Sequence, residues 1–183
     1  MKTFIFAIIA SLLLVTPAPA VTSLTLIPPG GAISGPAGTT VGWGFTFTND
    51  TNFAVITGTQ FCATGSVPPV CLPLSPNLGS YTDIAGSQFL VIGPSPESPT
   101  ISQSFNSALN TGLGSFTLNP TASGSVSGII ELSYDLFSVS PNNPNFSFDD
   151  VIANGLFLTA PASVTVGSAA AVAEPGTLLL LAS

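Results

Sequence analysis

Apolar and polar residues alternate along much of this chain, and no long stretch repeats at the 3.6-residue period of an amphipathic helix. The alternation is cleanest over residues 39–48, where Val41, Trp43, Phe45 and Phe47 share one parity and Thr40, Gly42, Gly44, Thr46 and Thr48 the other. Successive side chains of a strand point to opposite faces, so this segment predicts a β-strand with one buried stripe. A first short strand is expected over residues 21–27, stopped by Pro28-Pro29-Gly30-Gly31. The turn cluster Asn49-Asp50-Thr51-Asn52 predicts that residues 53–60 return as the second arm of an antiparallel hairpin.

Further strands are expected within residues 81–92, strongest over 88–92, and over 100–108, with Ile101, Gln103 and Phe105 on one face. Residues 93–99 hold three prolines, too many for a helix, and read as a surface turn. Residues 115–118 form a short strand or bulge region after Gly112-Leu113-Gly114. Residues 125–137 alternate, with Val126, Ile130, Leu132, Tyr134 and Leu136 in phase. Residues 141–150 read as a loop, and residues 155–166 as a last strand or pair of strands. About seven to nine short strands with regular turn signals predict an all-β fold. The expected architecture is an Ig-like sandwich of two stacked antiparallel sheets, with a jelly roll or β-barrel as the alternative.

The two ends follow different rules. Lys2, an apolar run over residues 4–15 and Ala18-Pro19-Ala20 have the form of a secretory signal, with cleavage expected between Ala20 and Val21. Residues 21–166 are then the β-domain, 167–172 a linker, and 173–183 a tail. The domain holds about 145 residues, enough for one real core. Lys2 is the single Lys or Arg of the 183 residues, and there is no His against the eight Asp and Glu. Cleavage would therefore leave a chain without a cationic side chain. Such a chain has nothing to replace phosphate counterions, which excludes a nucleic-acid partner, and it is repelled by anionic membrane surfaces.

Cys62 and Cys71 flank a Gly/Pro-rich loop, and in an exported protein they are expected to form a disulfide. A metal or redox pair lacks support in the sequence, since the spacing is not C-x-x-C and no His is present.

Enzyme chemistry is poorly supplied. Without His there is no Ser-His-Asp triad, and after cleavage no Lys remains for a Schiff base. No catalytic residue, cofactor or metal site is expected. Trp43 has the parity of a core residue, the alternative being a sugar-stacking platform, and Gly42 and Gly44 opposite it suggest close approach of another segment. Asn142, Asn143, Asn145, Asp149 and Asp150, with Asp135 upstream, make an oxygen-rich stretch whose spacing fits no defined Ca²⁺ loop, so it reads as a solvated turn. Glu131 and Asp135 share strand parity and read as isolated acids on a solvent face rather than as a hydrolytic pair. Tyr81 and Phe146 are the loop aromatics available to a carbohydrate.

Ala173-Glu174-Pro175-Gly176-Thr177 followed by four leucines resembles the PEP-CTERM sorting signal of Gram-negative bacteria, with Glu174-Pro175 at the motif and Ala173 where a first Pro is usual. That family continues into a membrane helix and an Arg cluster. Here the apolar run is far short of the ~20 residues of a span, so the tail reads as truncated. Gly38 through Phe45, Tyr81-Thr82-Asp83, Thr111 through Phe116 and Tyr134 through Phe137 are similar to segments of PEP-CTERM proteins of unknown function. The resemblance implies processing by an exosortase, a membrane stage only as a sorting intermediate, and a periplasmic, cell-surface or extracellular destination linked to exopolysaccharide and biofilm. The expected function is a non-enzymatic surface or extracellular-matrix protein that contacts extracellular polysaccharide. The alternatives are a carbohydrate-binding module and a Ca²⁺-stabilised adhesion-type domain.

Overall fold

Ten strands follow one another in the computed structural model, which describes residues 22–49, 51–64, 71, 78–94 and 97–167. They are β1 (Ser23–Ile27), β2 (Ala32–Pro36), β3 (Thr40–Thr48), β4 (Phe53–Ala63), β5 (Gly79–Asp83), β6 (Val91–Ile92), β7 (Thr100–Gln103), β8 (Gly114–Leu118), β9 (Ser125–Phe137) and β10 (Val151–Gly167). The signal segment, Ala20 and Val21 at its cleavage point, residues 168–172 of the linker, and the tail with Ala173, Glu174 and Pro175 lie outside the described residues.

The strands form a two-sheet sandwich. One sheet runs β1-β3-β8-β5, with β7 also paired to β3, and the other runs β2-β10-β9-β4-β6. The expected all-β sandwich is thus the observed one. Its strand number is one above the range expected: β2 is not anticipated in the sequence, and residues 81–92 hold parts of two strands, β5 and β6, where one is expected. One pairing is not antiparallel: β2 lies parallel to β10, with Ile33 opposite Val164. The Pro-Gly cluster at residues 28–31 does not simply end β1. It turns the chain, closed by Gly31 N–H to the Pro28 carbonyl at 2.9 Å, and carries it across to the second sheet.

The predicted β3–β4 hairpin does not form. β3 pairs with β1, β7 and β8, whereas β4 pairs with β6 and β9, so the chain crosses between sheets at residues 49–52. The physical reason is that both strands carry an apolar stripe. In a hairpin the stripes would lie side by side on one sheet; on opposite sheets they cover each other. Trp43 stacks on Phe61 at 5.7 Å between ring centroids, and Phe47 meets the edge of Tyr134 at 5.5 Å. The crossing is held by Asn49, which is wholly buried. Its backbone N–H donates to the Pro99 carbonyl at 2.7 Å, its side-chain Oδ1 accepts from the Thr22 hydroxyl at 3.2 Å, and its side-chain Nδ2 donates to the Asn52 carbonyl.

The buried stripe on β3 is otherwise as expected: Trp43, Phe45 and Phe47 are completely enclosed and Val41 packs at the margin. The Trp43 indole N–H donates to the Gly31 carbonyl at 2.7 Å, so the ring is both packed and polar-satisfied. On the other face, a Cβ at Gly42 would run into the Phe105 ring, and one at Gly44 into the Gln103 carbonyl. These are the close approaches that the two glycines signalled.

Two segments depart from expectation. The strand sought over residues 88–92 is mostly elsewhere: β5 precedes it, Ala85–Gln88 form a 3₁₀ turn, and only Val91–Ile92 pair. Phe89 turns the chain with φ 49° and is 60% exposed, which breaks the alternation that its apolar neighbours suggested. At the other end β10 is one long strand that starts at Val151 and reaches Gly167, with two register shifts before Leu156.

Candidate functional site

Pairing places three strands side by side at the centre of the second sheet: β4, β9 and β10. In β9, Ile130, Leu132 and Tyr134 point into the core and are buried. The intervening Ile129, Glu131, Ser133 and Asp135 therefore occupy the outer face. Register completes two rows across that face. Gln60, Glu131 and Thr159 are directly opposite one another, and so are Gly58, Ser133 and Phe157. Residues directly opposite have Cβ atoms about 5 Å apart, so each row is a contact row.

Glu131 does not behave as a solvent-face acid. The outer face of β9 is where alternation put it, but only 4% of it is exposed. One carboxylate oxygen accepts from the Gln60 side-chain amide at 2.6 Å, and the other, Oε2, has no hydrogen-bond partner among the described residues. The expectation of an exposed acid fails because it considered β9 alone; Gln60 of β4, opposite in register, holds one carboxylate oxygen. A buried carboxylate normally has its remaining lone pairs filled or a cation beside it. None of the described residues is Lys, Arg or His.

Glu131 faces a cleft of about 160 Å³ lined by Gly58, Thr59, Gln60, Glu131 and Ser133. Gly58, which lines it, follows a register shift in β4 between Ile56 and Gly58. A Cβ at Gly58 would sit 3.1 Å from the Ser133 hydroxyl, so glycine keeps this end open. Beside Ser133, Phe157 leaves 48% of its surface in solvent although its neighbours Leu156 and Leu158 pack on the core. An exposed ring thus adjoins an oxygen-lined cleft with an unsatisfied acceptor.

Tyr81, expected as a loop aromatic, is on β5 and half-buried, its ring 6.2 Å from that of Trp43. Its hydroxyl donates to Thr59 at 2.7 Å, and the Thr59 hydroxyl donates to Asp83 at 2.6 Å. The same Asp83 oxygen accepts from the Gly86 N–H at 3.0 Å. Burial pushes the Tyr81 phenol far above its usual range, and the negative charge of Asp83 adds to the shift. Tyr81 is therefore a structural member of the sandwich margin, not a binding platform.

The oxygen-rich stretch is drawn into its own turns. Asp150 accepts from the Ser147 N–H at 2.8 Å in a reciprocal capping box, the Asn143 side chain accepts from the Asn145 N–H at 2.9 Å, and Asn142 N–H donates to the Ser140 hydroxyl at 3.3 Å. Asp135 accepts from the Gly155 N–H at 2.8 Å. Asp149 and these neighbours gather into no group of three metal-ligating side chains among the described residues. Phe146 stays partly accessible, between Phe137 at 5.5 Å and Phe148 at 6.3 Å, and Phe148 is 88% exposed. Cys62 and Cys71 are bonded as expected, with Cα atoms 4.8 Å apart.

Gln60, Ser133, Thr159, Phe148 and Phe157 were not singled out by sequence reasoning. The signal for the first three and Phe157 is a shared outward parity on three strands, which means nothing until the strands are paired in register.

No known protein family and no curated protein matches the sequence. Among solved structures, the chain resembles the ASH/PapD-like domain 7 of human CEP192, with 10% identity, a TM-score of 0.39, and 93% of this chain and 100% of that one covered. It also resembles AggA, the major subunit of aggregative adherence fimbriae type I from Escherichia coli, with 11% identity, a TM-score of 0.36, and coverage of 83% and 98%. Neither likeness is close enough to carry an activity to this chain.

Proposed function

We propose that this chain is an exported, non-enzymatic domain of the cell surface or extracellular matrix, sorted by an exosortase through its Glu174-Pro175 tail. The observation that carries the reading is the Cys62–Cys71 disulfide in a β-sandwich preceded by a signal-like segment. Disulfides of this kind persist in oxidising compartments. The absence of His from the sequence and a cleft whose lining holds no acid but Glu131 among the described residues support a non-catalytic role.

The test is fractionation of the chain in a host with and without its exosortase. Residues 1–20 should be lost, and the chain should be found outside the cytoplasm. When a membrane span and a basic cluster follow the tail, the protein should pass through a membrane-bound intermediate that accumulates without the exosortase. Cytoplasmic retention of an uncleaved chain with Cys62 and Cys71 reduced refutes the reading.

A second reading, carbohydrate binding, is favoured by one specific observation: Phe157 is exposed beside the cleft that holds the unsatisfied Glu131 oxygen. Screening the mature chain against a glycan array and by polysaccharide pull-down tests it. No retention on any polymer refutes it and leaves the surface-protein reading in place.

A further inference from the structure

We propose that the outer face of the β4–β9–β10 sheet binds a single neutral pyranose unit of a polysaccharide, with the ring lying on Phe157 and its hydroxyls entering the cleft at Glu131. The inference rests on the carbohydrate-binding reading and adds to it the site and the ligand class.

The ligand must be a hydrogen-bond donor. Glu131 Oε2 is an acceptor in a residue only 4% exposed, it has no partner among the described residues, and it lines the cleft. An ionised carboxylate only accepts, and its bonds to hydroxyl donors are charge-assisted and short. Ser133 adds a hydroxyl that can rotate to donate or accept. Its present partners are neighbours in the same wall: it accepts from Thr57 at 3.1 Å and donates to the Gly58 carbonyl at 3.2 Å. A pair of adjacent sugar hydroxyls meets this acceptor-rich lining.

The ligand is also small, partly apolar and uncharged. About 160 Å³ corresponds to roughly five water volumes, which suits one pyranose ring rather than a longer segment. The C–H face of such a ring is apolar and needs a surface to cover it. Phe157 supplies one on the row next to Glu131, directly across from Ser133. Anionic sugars are disfavoured, since eight acids and no cation occur after Lys2 and like charges repel at a buried carboxylate. A Ca²⁺ ion takes six to eight oxygens, usually including several carboxylates, and the cleft lining offers one. Only one sugar unit is engaged, so affinity for a monosaccharide falls in the millimolar range, about −4 kcal/mol, and retention comes from the high concentration of such units that a polymer gel presents to the one site.

The experiment is native affinity electrophoresis of the mature chain through gels containing dextran, galactomannan or arabinoxylan, with alginate as the anionic comparison. At least one neutral polymer should retard the wild type, and alginate should not. Phe157→Ala, Glu131→Gln and Ser133→Ala, each confirmed folded by circular dichroism, should weaken retention about tenfold for the first two and less for the third. Phe148→Ala should be retained like the wild type.

If a neutral polymer retards the wild type and the Glu131 and Phe157 variants equally, the site is wrong while the carbohydrate reading stands. Loss confined to Phe148→Ala places the glycan on the loop after β9 and likewise overturns this inference alone. If no neutral polymer retards the wild type, both fall. A rise in melting temperature with Ca²⁺ that Glu131→Gln abolishes, with glycan retention unchanged, assigns the cleft to a cation and also overturns it.

Discussion

Replacing Trp43 by Ala should be among the most damaging changes available in the domain. The ring is completely buried, stacks on Phe61 and faces Tyr81, so its neighbours come from both sheets and cannot all collapse into the space it leaves. Loss of an enclosed Trp costs about 3–5 kcal/mol. The indole N–H to Gly31 carbonyl bond, 2.7 Å long, goes with it. An orphaned buried carbonyl alone costs about 1–3 kcal/mol, which puts the variant at the upper end of the range. Against a total stability of about 5–15 kcal/mol, the domain would be close to unfolding. The melting temperature should fall by about 6–20 °C for a chain of this size. Urea denaturation followed by far-UV circular dichroism, with the disulfide intact, measures the loss. Trp43→Phe separates the two contributions, because it keeps most of the apolar volume and removes the donor. Trp43 is the only Trp, so the wild type should also show blue-shifted emission that reddens on unfolding. An unchanged urea midpoint in Trp43→Ala would refute the placement of this residue as the bridge between sheets.

Other outcomes follow from the same geometry. Replacing Cys62 and Cys71 by Ser should cost about 2–3 kcal/mol, the closure entropy of a short loop, read as a lower urea midpoint; no change would mean that the loop is ordered without the bond. Tyr81 should remain protonated well above pH 10 in the folded protein, read as phenolate absorbance that is delayed relative to the unfolded chain. The unfolded chain loses the Tyr81 proton near pH 10, so this group's contribution to stability is full below that pH and declines as pH rises above it; a melting temperature flat into strong alkali would refute this. Glu131→Gln replaces the carboxylate whose Oε2 has no partner among the described residues while keeping its shape and the bond from Gln60, so stability without ligand should stay equal or rise by up to about 2 kcal/mol. A loss beyond about 1 kcal/mol in thermal melts would show that the carboxylate is satisfied in the free protein. Phe148→Ala, at a side chain 88% exposed, should change stability by less than about 0.5 kcal/mol.

Period-two alternation sufficed for the all-β class, for the β3 stripe of Trp43, Phe45 and Phe47, and for the inward set of β9, because the face a side chain occupies is a local property of the strand. The disulfide was legible in the cysteines, since two half-cystines around a short loop need no tertiary contact to be read. Pairing was not legible. Asn49 through Asn52 has the composition of a hairpin turn, yet the chain there changes sheets, and Trp43 of β3 stacks on Phe61 of β4 across the sandwich. The same limit hid β2, whose place beside β10 depends on a strand more than a hundred residues away, and it hid the candidate site. Glu131 reads as one acid on one outward face. Only when Gln60 and Thr159 are set against it, and Gly58 and Phe157 against Ser133, does it become a buried acceptor beside an exposed ring. Which face a residue takes is decided by its own strand; what it meets there is decided by strands distant in sequence, through register that no single segment encodes.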